Sequence, residues 1–237
     1  MTEAEMIASL ADGQRRGTHT VDGAAFTSLD RAAAYRIQSG VLSSIGATVG
    51  MLKTAIHSDG VGVAAPIFAT NVGRNGFRLP VANVLGLEVE VGVVLGKDVG
   101  PTDDAAAAVD HYFTGVEIVG SRFADRQTAG SNGPLADNLS GLGYVIGTEP
   151  RRLMDDLDGL SVSLEFGGKP IYGAPAKHGF GTVLASVAAY AKAQQPLLPL
   201  RAGTIISTGT LCGLVLTSGT GHVTARLGDD IVEFDLV

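Results

Sequence analysis

The sequence contains a single cysteine, Cys212. It can form no internal disulfide and reads as a chain for a reducing compartment. No run of about 18 apolar residues occurs, so no helical membrane span is expected. The first residues are acidic and then helix-like, without the basic stretch and apolar core of a secretory signal. A cytoplasmic location is therefore expected. Charged residues make up only 17% of the chain against 45% hydrophobic, which excludes intrinsic disorder. The 17 Lys and Arg face 24 Asp and Glu, a net charge of −7, and no basic cluster is present. A nucleic-acid-binding face is excluded on that ground. Aromatics are scarce, at 5%.

Glycine is abundant. Its 33 residues among 237 are about double the usual share of about 7%. They are spread without period, which excludes collagen and points to tight turns and close backbone approaches in a strand-rich fold.

The first 45 residues read as a helical lobe. Thr2 and Glu5 make a capping-box pattern, Met6, Ile7 and Leu10 follow as a short apolar face, and Gly13 and Gly17 close the element. A second helix is expected from Ser28 or Asp30, with Ala33, Ile37 and Val41 on one face. Residues 46–237 alternate short apolar runs with turn residues, and read as a second, mostly β domain. Strands are expected at 46–51, 61–69, 76–80, 84–95, 113–120, 143–147, 160–166, 169–173, 203–208, 222–227 and 231–236. Hairpin turns are expected at Gly167-Gly168 and at 228–230. Helices are expected at 103–109 and at 182–195, the latter burying Val183, Leu184, Val187 and Ala191 before Pro196.

Residues 85–95 carry the most chemistry. Every odd position is Leu or Val, and the even positions include Glu88 and Glu90. A strand sends alternate side chains to one face, so the two carboxylates share a face while the other is core. Glu117 stands in a third such setting, between Val116 and Ile118. Like charges in a cleft of low dielectric repel unless a cation neutralises them, and a hard divalent ion with oxygen ligands does so. On chemistry alone a wetted sheet face, with Glu117 exposed or paired to Arg122, is the more common reading of such residues.

Several segments in order shift that balance toward the metal site. They are Gly46-Ala-Thr-Val-Gly50, Glu88-Val-Glu90 before Val-Val-Leu-Gly, Gly115-Val-Glu-Ile-Val-Gly-Ser-Arg122, Asp137-Asn-Leu-Ser140 before Tyr-Val-Ile-Gly, and Thr208-Gly-Thr-Leu. Over about residues 30–237 the chain resembles the fumarylacetoacetase-like superfamily, in its branch of 2-keto-4-pentenoate hydratases and 4-oxalocrotonate decarboxylases. The resemblance implies an α+β, mostly β fold: a mixed β-roll with a small helical N-terminal lobe. It implies Mg²⁺ or Mn²⁺ held by Glu88, Glu90 and Glu117. It also implies a lyase of aromatic-compound catabolism that hydrates a small 2-oxo or 2-hydroxy-dienoic acid through an enolate. A homo-oligomer, with association to a related enzyme, is implied as well.

The departures fall in the acid/base half of the site. Hydratases of this family carry Lys within Gly-x-Lys-Val-Gly, where this chain has Thr48. They carry an acid after the proline of Pro-Asp-Phe/Tyr-Gly, where Pro66 is followed by Ile67. Ser140 falls on the family's Asp-Asn-Ala-Ser serine and is a candidate to position water or a substrate oxygen; a hydroxyl serving its own turn is the alternative. Lys53 is a candidate to reach a substrate carboxylate, against the alternative of a solvated lysine. Gly209 and Thr210 are candidate substrate contacts. Asp137 is read as ordering its own loop, His178 as an exposed loop residue, and Cys212 as packing. Decarboxylation or acylpyruvate C–C hydrolysis by the same enolate, or a degenerate binding or partner subunit, remain as alternatives to hydration.

Overall fold

The computed structural model describes residues 1–80, 82–147 and 156–237. The chain opens with α1 (Glu3–Arg16) and α2 (Arg31–Ile45). Thr2 and Glu5 form the expected capping box, and Gly17 ends α1 in a left-handed conformation. Asp30 caps α2 by accepting from Ala33 N. Ala33, Ile37 and Val41 face inward as the four-residue spacing requires. Gly40 has a packing reason. A Cβ there would lie 2.4 Å from Ile7 Cδ1, so the glycine lets α1 approach α2.

The strands follow: β1 (Val49–Ile56), β2 (Gly62–Phe68), β3 (Val72–Arg74), β4 (Arg78–Leu79), β5 (Val84–Leu95) and β6 (Val109–Gly120). The short α3 (Gly133–Ala136) precedes β7 (Gly141–Ile146), β8 (Ser161–Phe166) and β9 (Lys169–Pro175). Then come α4 (Ala185–Ala191), β10 (Ile205–Thr210), β11 (Val215–Leu216), β12 (Gly221–Leu227) and β13 (Asp230–Leu236). The larger sheet runs β2-β1-β10-β5-β6-β7-β3, with β11 also on β5; the smaller runs β4-β13-β12-β8-β9. Most pairs are antiparallel, whereas β1 with β10, β3 with β7 and β13 with β4 are parallel. This is the expected mixed, mostly β fold with a small helical front, its larger sheet curled into a half-barrel.

The odd residues of β5, Leu87, Val89, Val91, Val93 and Leu95, enter the main core. Phe234, Val232, Leu164 and Val223 of the smaller sheet belong to the same core, as do Leu10 and Ile37 of the helices. The opposite face of the larger sheet holds a second, smaller apolar cluster of Met51, Ile67, Phe113, Tyr144 and Ile146. The free edge of β2 is covered by α2. Ala64 N donates to Tyr35 Oη at 3.0 Å, and Gln38 Nε2 donates to Ala64 O at 3.5 Å and Leu135 O at 2.8 Å. Those side chains satisfy backbone groups that an open edge would expose to pairing. No helix among the described residues is long and apolar enough to cross a membrane.

Two expected helices are corrected. Residues 103–109 form only a single 3₁₀ turn at Ala106–Ala108. Pairing with β5 recruits the chain from Val109 onward into β6, and that ladder outweighs the helix propensity of the alanine run. The helix expected at 182–195 is the shorter α4, packed on β1 and β2. There a Cβ on Gly62 would lie 2.1 Å from Tyr190 N, so only glycine permits that contact. Strand β1 runs further than expected, to Ile56, and the short β3 and β11 carry no pattern that marks them in sequence.

Candidate metal centre

Glu88 and Glu117 are directly opposed across β5 and β6, and Glu90 lies two residues along β5 on the same face. Directly opposed like charges destabilise a sheet unless something compensates them. Glu90 and Glu117 are fully buried, while Glu88 is half-buried. The wetted-face alternative is therefore excluded for two of the three. One carboxylate oxygen from each residue lies within 4.8 Å of the others. That spacing suits oxygens sharing one hard divalent ion, whose oxygen ligands sit at about 2.0–2.6 Å.

The partners of these carboxylates are asymmetric. Ser207 Oγ, from β10, donates to Glu90 Oε2. Lys53 Nζ, from β1, donates to Glu117 Oε1 at 2.6 Å and to Leu139 O at 3.2 Å. Glu90 Oε1 and Glu117 Oε2 are buried and accept no hydrogen bond. A buried acceptor left so costs about 1–3 kcal/mol. Two such atoms within one all-carboxylate cluster fit a hard cation. The formal charges agree: three carboxylates and one ammonium leave −2, which a divalent ion cancels.

Electrostatics follow from this crowding. Burial pushes Glu90 well above the usual carboxylate range, and the charges of Glu117 and Glu88 push the same way. Burial raises Glu117 to about 7, against the pull of Lys53. For Lys53 burial works against the charge, but Glu117, Glu88 and Glu90 outweigh it and hold the ammonium above its ordinary range. It is thus no solvated lysine. The expected pairing of Glu117 with Arg122 is also corrected. Arg122 is buried and bound through Nε to Asp137 Oδ1, on the far side of the Asn138–Ser140 turn.

That turn is unusual. Asn138, Leu139 and Ser140 are consecutive non-glycine residues with φ of 51°, 52° and 61°. Left-handed backbone of this kind costs about 1 kcal/mol or more per residue. Asp137 holds it from before, accepting from Ser121 Oγ at 2.8 Å and Arg122 N at 3.1 Å as well as Arg122 Nε. The turn delivers the Leu139 carbonyl to Lys53 and brings Gly141 to Glu117, whose Oε1 would lie 3.6 Å from a Cβ on that glycine. Ser140, between them, is buried. Asp137 orders its loop, as expected.

Other expected residues fall elsewhere. Thr48 is exposed ahead of β1, whereas Ile67 is buried and borders Gly141 beside Glu117. Thr210 pairs with Glu90 in register, yet its hydroxyl donates to Gly213 O at 3.1 Å and accepts from Cys212 N at 3.2 Å. Gly209, at φ 119°, is covered by the Phe180 ring. His178 is not exposed but buried. Its Nδ1 accepts from Phe180 N at 3.2 Å, which leaves Nε2–H facing Thr208 Oγ1 at 3.3 Å, and burial pushes its pKa down to about 4. Cys212 Sγ accepts from Val89 N at 3.4 Å, in keeping with a packing role.

Sequence reasoning missed Ser207 and Tyr144. Tyr144 pairs with Glu117 across β6 and β7, and its ring lies over Gly115, where a Cβ would sit 2.6 Å from Oη. Gly115 in turn pairs with Glu90. Burial raises the phenol well above its ordinary range, and the charges of Glu90 and Glu117 and a loose hydrogen bond toward Glu90 add to this. The available signal was a tyrosine on an otherwise apolar strand; which strand it would face was not legible.

A family model described as fumarylacetoacetate (FAA) hydrolase C-terminal matches residues 54–236. The chain is similar to a 2-keto-4-pentenoate hydratase of Paraburkholderia xenovorans (strain LB400), 36% identical over 137 residues, 54% of this chain and 50% of that protein. The match thus spans about half the length of that relative. A 2-keto-4-pentenoate hydratase of Burkholderia vietnamiensis (strain G4 / LMG 22486) is 27% identical over 195 residues, 77% of this chain and 74% of that one. Among solved structures, 4-oxalocrotonate decarboxylase from Pseudomonas putida G7, complexed with magnesium and adipate, superposes with a TM-score of 0.79 at 20% identity. The superposition covers 100% of this chain and 99% of that one. The same decarboxylase complexed with calcium and acetate gives 0.78. Likeness at such identity shows the fold.

Proposed function

The chain belongs to the fumarylacetoacetate hydrolase C-terminal family, and from that premise we propose a divalent-metal-dependent lyase that hydrates a small 2-oxo or 2-hydroxy-dienoic acid of the 2-keto-4-pentenoate type. The observation that carries this reading is the convergence of Glu88, Glu90 and Glu117, with buried oxygens that nothing else satisfies. Mg²⁺ or Ca²⁺, the ions held by the decarboxylase neighbour, suits such oxygens. A bound ion would supply Lewis-acid stabilisation of enolate charge and a fixed point for orienting the substrate.

The protein's own groups take the remaining roles. Lys53, kept as an ammonium by the surrounding carboxylates, anchors the substrate carboxylate rather than serving as a base. Ser140, buried on the strained turn between Leu139, whose carbonyl meets Lys53, and Gly141, which borders Glu117, positions water or a substrate oxygen. Ser207 fixes the orientation of Glu90. The apolar Met51 and Ile67 keep bulk water from the enolate.

Ile67 also favours a second reading. No acid stands after Pro66 to assist addition of water, so C–C cleavage of the same enolate, as decarboxylation or acylpyruvate hydrolysis, competes with hydration. One experiment separates them. The protein with excess Mg²⁺ is given 2-hydroxypenta-2,4-dienoate and, separately, a 2-oxo dicarboxylate carrying a scissile carboxyl. Loss of the dienol ultraviolet band with a hydrated product supports hydration; released CO₂ or a cleaved acid supports the second reading. Metal binding without turnover of either would leave a binding or partner subunit, the role in which association with a related enzyme would be sought.

A further inference from the structure

Three buried polar atoms meet at the carboxylate cluster without a well-formed hydrogen bond: Glu90 Oε1, Glu117 Oε2 and Tyr144 Oη, the last with only a loose contact to the Glu90 carboxylate. The first two are acceptors and suit a cation. The third is a phenol, which a cation does not need and which can donate. Its placement is specific. Tyr144 stands opposite Glu117 on β7 and leans across Gly115 toward Glu90. Packing alone does not account for the hydroxyl. The ring meets Phe113 in a T-shaped contact with centroids 6.2 Å apart, and Phe at position 144 would keep that contact without burying a hydroxyl whose one polar neighbour is the loosely placed Glu90 carboxylate.

We propose that the Tyr144 hydroxyl donates a hydrogen bond to the 2-oxo oxygen of a substrate held at Glu88, Glu90 and Glu117, and strengthens that bond as the oxygen acquires enolate charge. This rests on the metal-dependent reading and adds a catalytic donor to it. A preorganised donor aimed at developing negative charge in a water-poor site acts as an oxyanion stabiliser, and loss of one such donor typically lowers kcat by about 10²–10³-fold.

The test uses Tyr144→Phe and oxalate, an unreactive mimic of a planar 2-oxo carboxylate. Mg²⁺ affinity by calorimetry is expected to be unchanged within about threefold, and the metal-free melting temperature little changed, because the variant removes a buried hydroxyl that has no well-formed hydrogen bond. Oxalate affinity in excess Mg²⁺ is expected to fall about tenfold. The chain has 5 tyrosines and no tryptophan, so oxalate binding should also perturb the tyrosine ultraviolet band of the unaltered protein and leave that of the variant unmoved. Equal oxalate affinity in both proteins would overturn the proposal while leaving the metal site standing. So would a large loss of Mg²⁺ affinity in the variant, since the phenol would then be serving Glu90. Failure of the unaltered protein to bind Mg²⁺ is a different result, which removes the metal-dependent reading itself.

Discussion

Lys53 and Glu117 form a buried ion pair between strands β1 and β6, with Nζ 2.6 Å from Oε1, although neither strand neighbours the other in the sheet. The lysine spans β10 and β5 to reach it. Its charge opposes a metal ion and attracts an anionic substrate, so Lys53→Met should move the two affinities in opposite directions. Mg²⁺ binding is expected to tighten several-fold, as the local charge falls from −2 to −3, while oxalate binding in excess Mg²⁺ weakens by about tenfold or more. Above about pH 7, where Glu117 would ionise, the metal-free protein should lose as much as about 3 kcal/mol because the carboxylate is left buried without its partner, and less below it, where Glu117 keeps its proton. Calorimetric titration and urea denaturation give all three quantities. Weaker Mg²⁺ binding in the variant would contradict the charge argument.

The carboxylates also set the response to pH. Glu90 and Glu117 keep their protons in the folded, metal-free protein to higher pH than in the unfolded chain, Glu117 to about 7 against an ordinary 4.5. The folded state therefore binds more protons across that window, and its stability is fully present below it and falls as pH rises through it. A divalent ion binds the ionised form and should reverse the trend. Melting temperatures without metal are expected to drop between about pH 5 and pH 8, and the increment from added Mg²⁺ to grow over the same range. A metal-free curve that rises with pH would exclude this account.

Much of this site was legible because strand periodicity is local. Alternation in residues 85–95 is enough to put Glu88 and Glu90 on one face, and the apolar neighbours of Glu117 mark it as a strand residue. Pairing is not local. Ser207 and Tyr144 reach the cluster because β10 and β7 flank β5 and β6, and Lys53 because β1 lies on the far side of β10; no spacing within one strand encodes that order. The same limit explains Arg122, whose partner Asp137 lies across a turn held in backbone angles that sequence does not reveal. It explains His178 too. A histidine among glycines and prolines reads as an exposed loop, and its burial depends on Thr208 and Phe180 closing around it.

His178 should act in the acid direction. Burial lowers its pKa to about 4 from an ordinary 6.5. The folded state thus binds fewer protons than the unfolded chain between these values, and stability falls as pH drops through the window. His178→Gln cannot charge, so its stability should vary less with pH there, at a cost near neutrality of about 1–2 kcal/mol for imperfectly replaced hydrogen bonds. Urea midpoints at several pH values down to about 4.5 would check this. An equal acid slope in both proteins would assign the loss to other groups.

Arg122 and Asp137 make the sharpest case for a structure-holding pair. Both side chains are almost completely buried, Arg122 Nη2 also donates to Asp137 O at 2.5 Å, and Arg122 Nη1 has no hydrogen-bond partner. Burial raises the Asp137 carboxyl even against the pull of Arg122, so the site tolerates a charge there poorly unless it is paired. Arg122→Met alone, or Asp137→Leu alone, should cost about 3–5 kcal/mol, since each leaves one charge buried without a partner. The double variant should cost clearly less than their sum, because an apolar pair restores a neutral interior. Its turn is still expected to suffer. Asp137 is the residue from which Asn138–Ser140 departs in left-handed backbone, and without it the Leu139 carbonyl has less reason to stay on Lys53. Urea denaturation of the four proteins gives the coupling energy, and oxalate titration in excess Mg²⁺ reads the position of Lys53. Additive stability losses would show that the two residues do not act as a pair. Unchanged oxalate affinity in a folded double variant would show that the turn holds its shape without them.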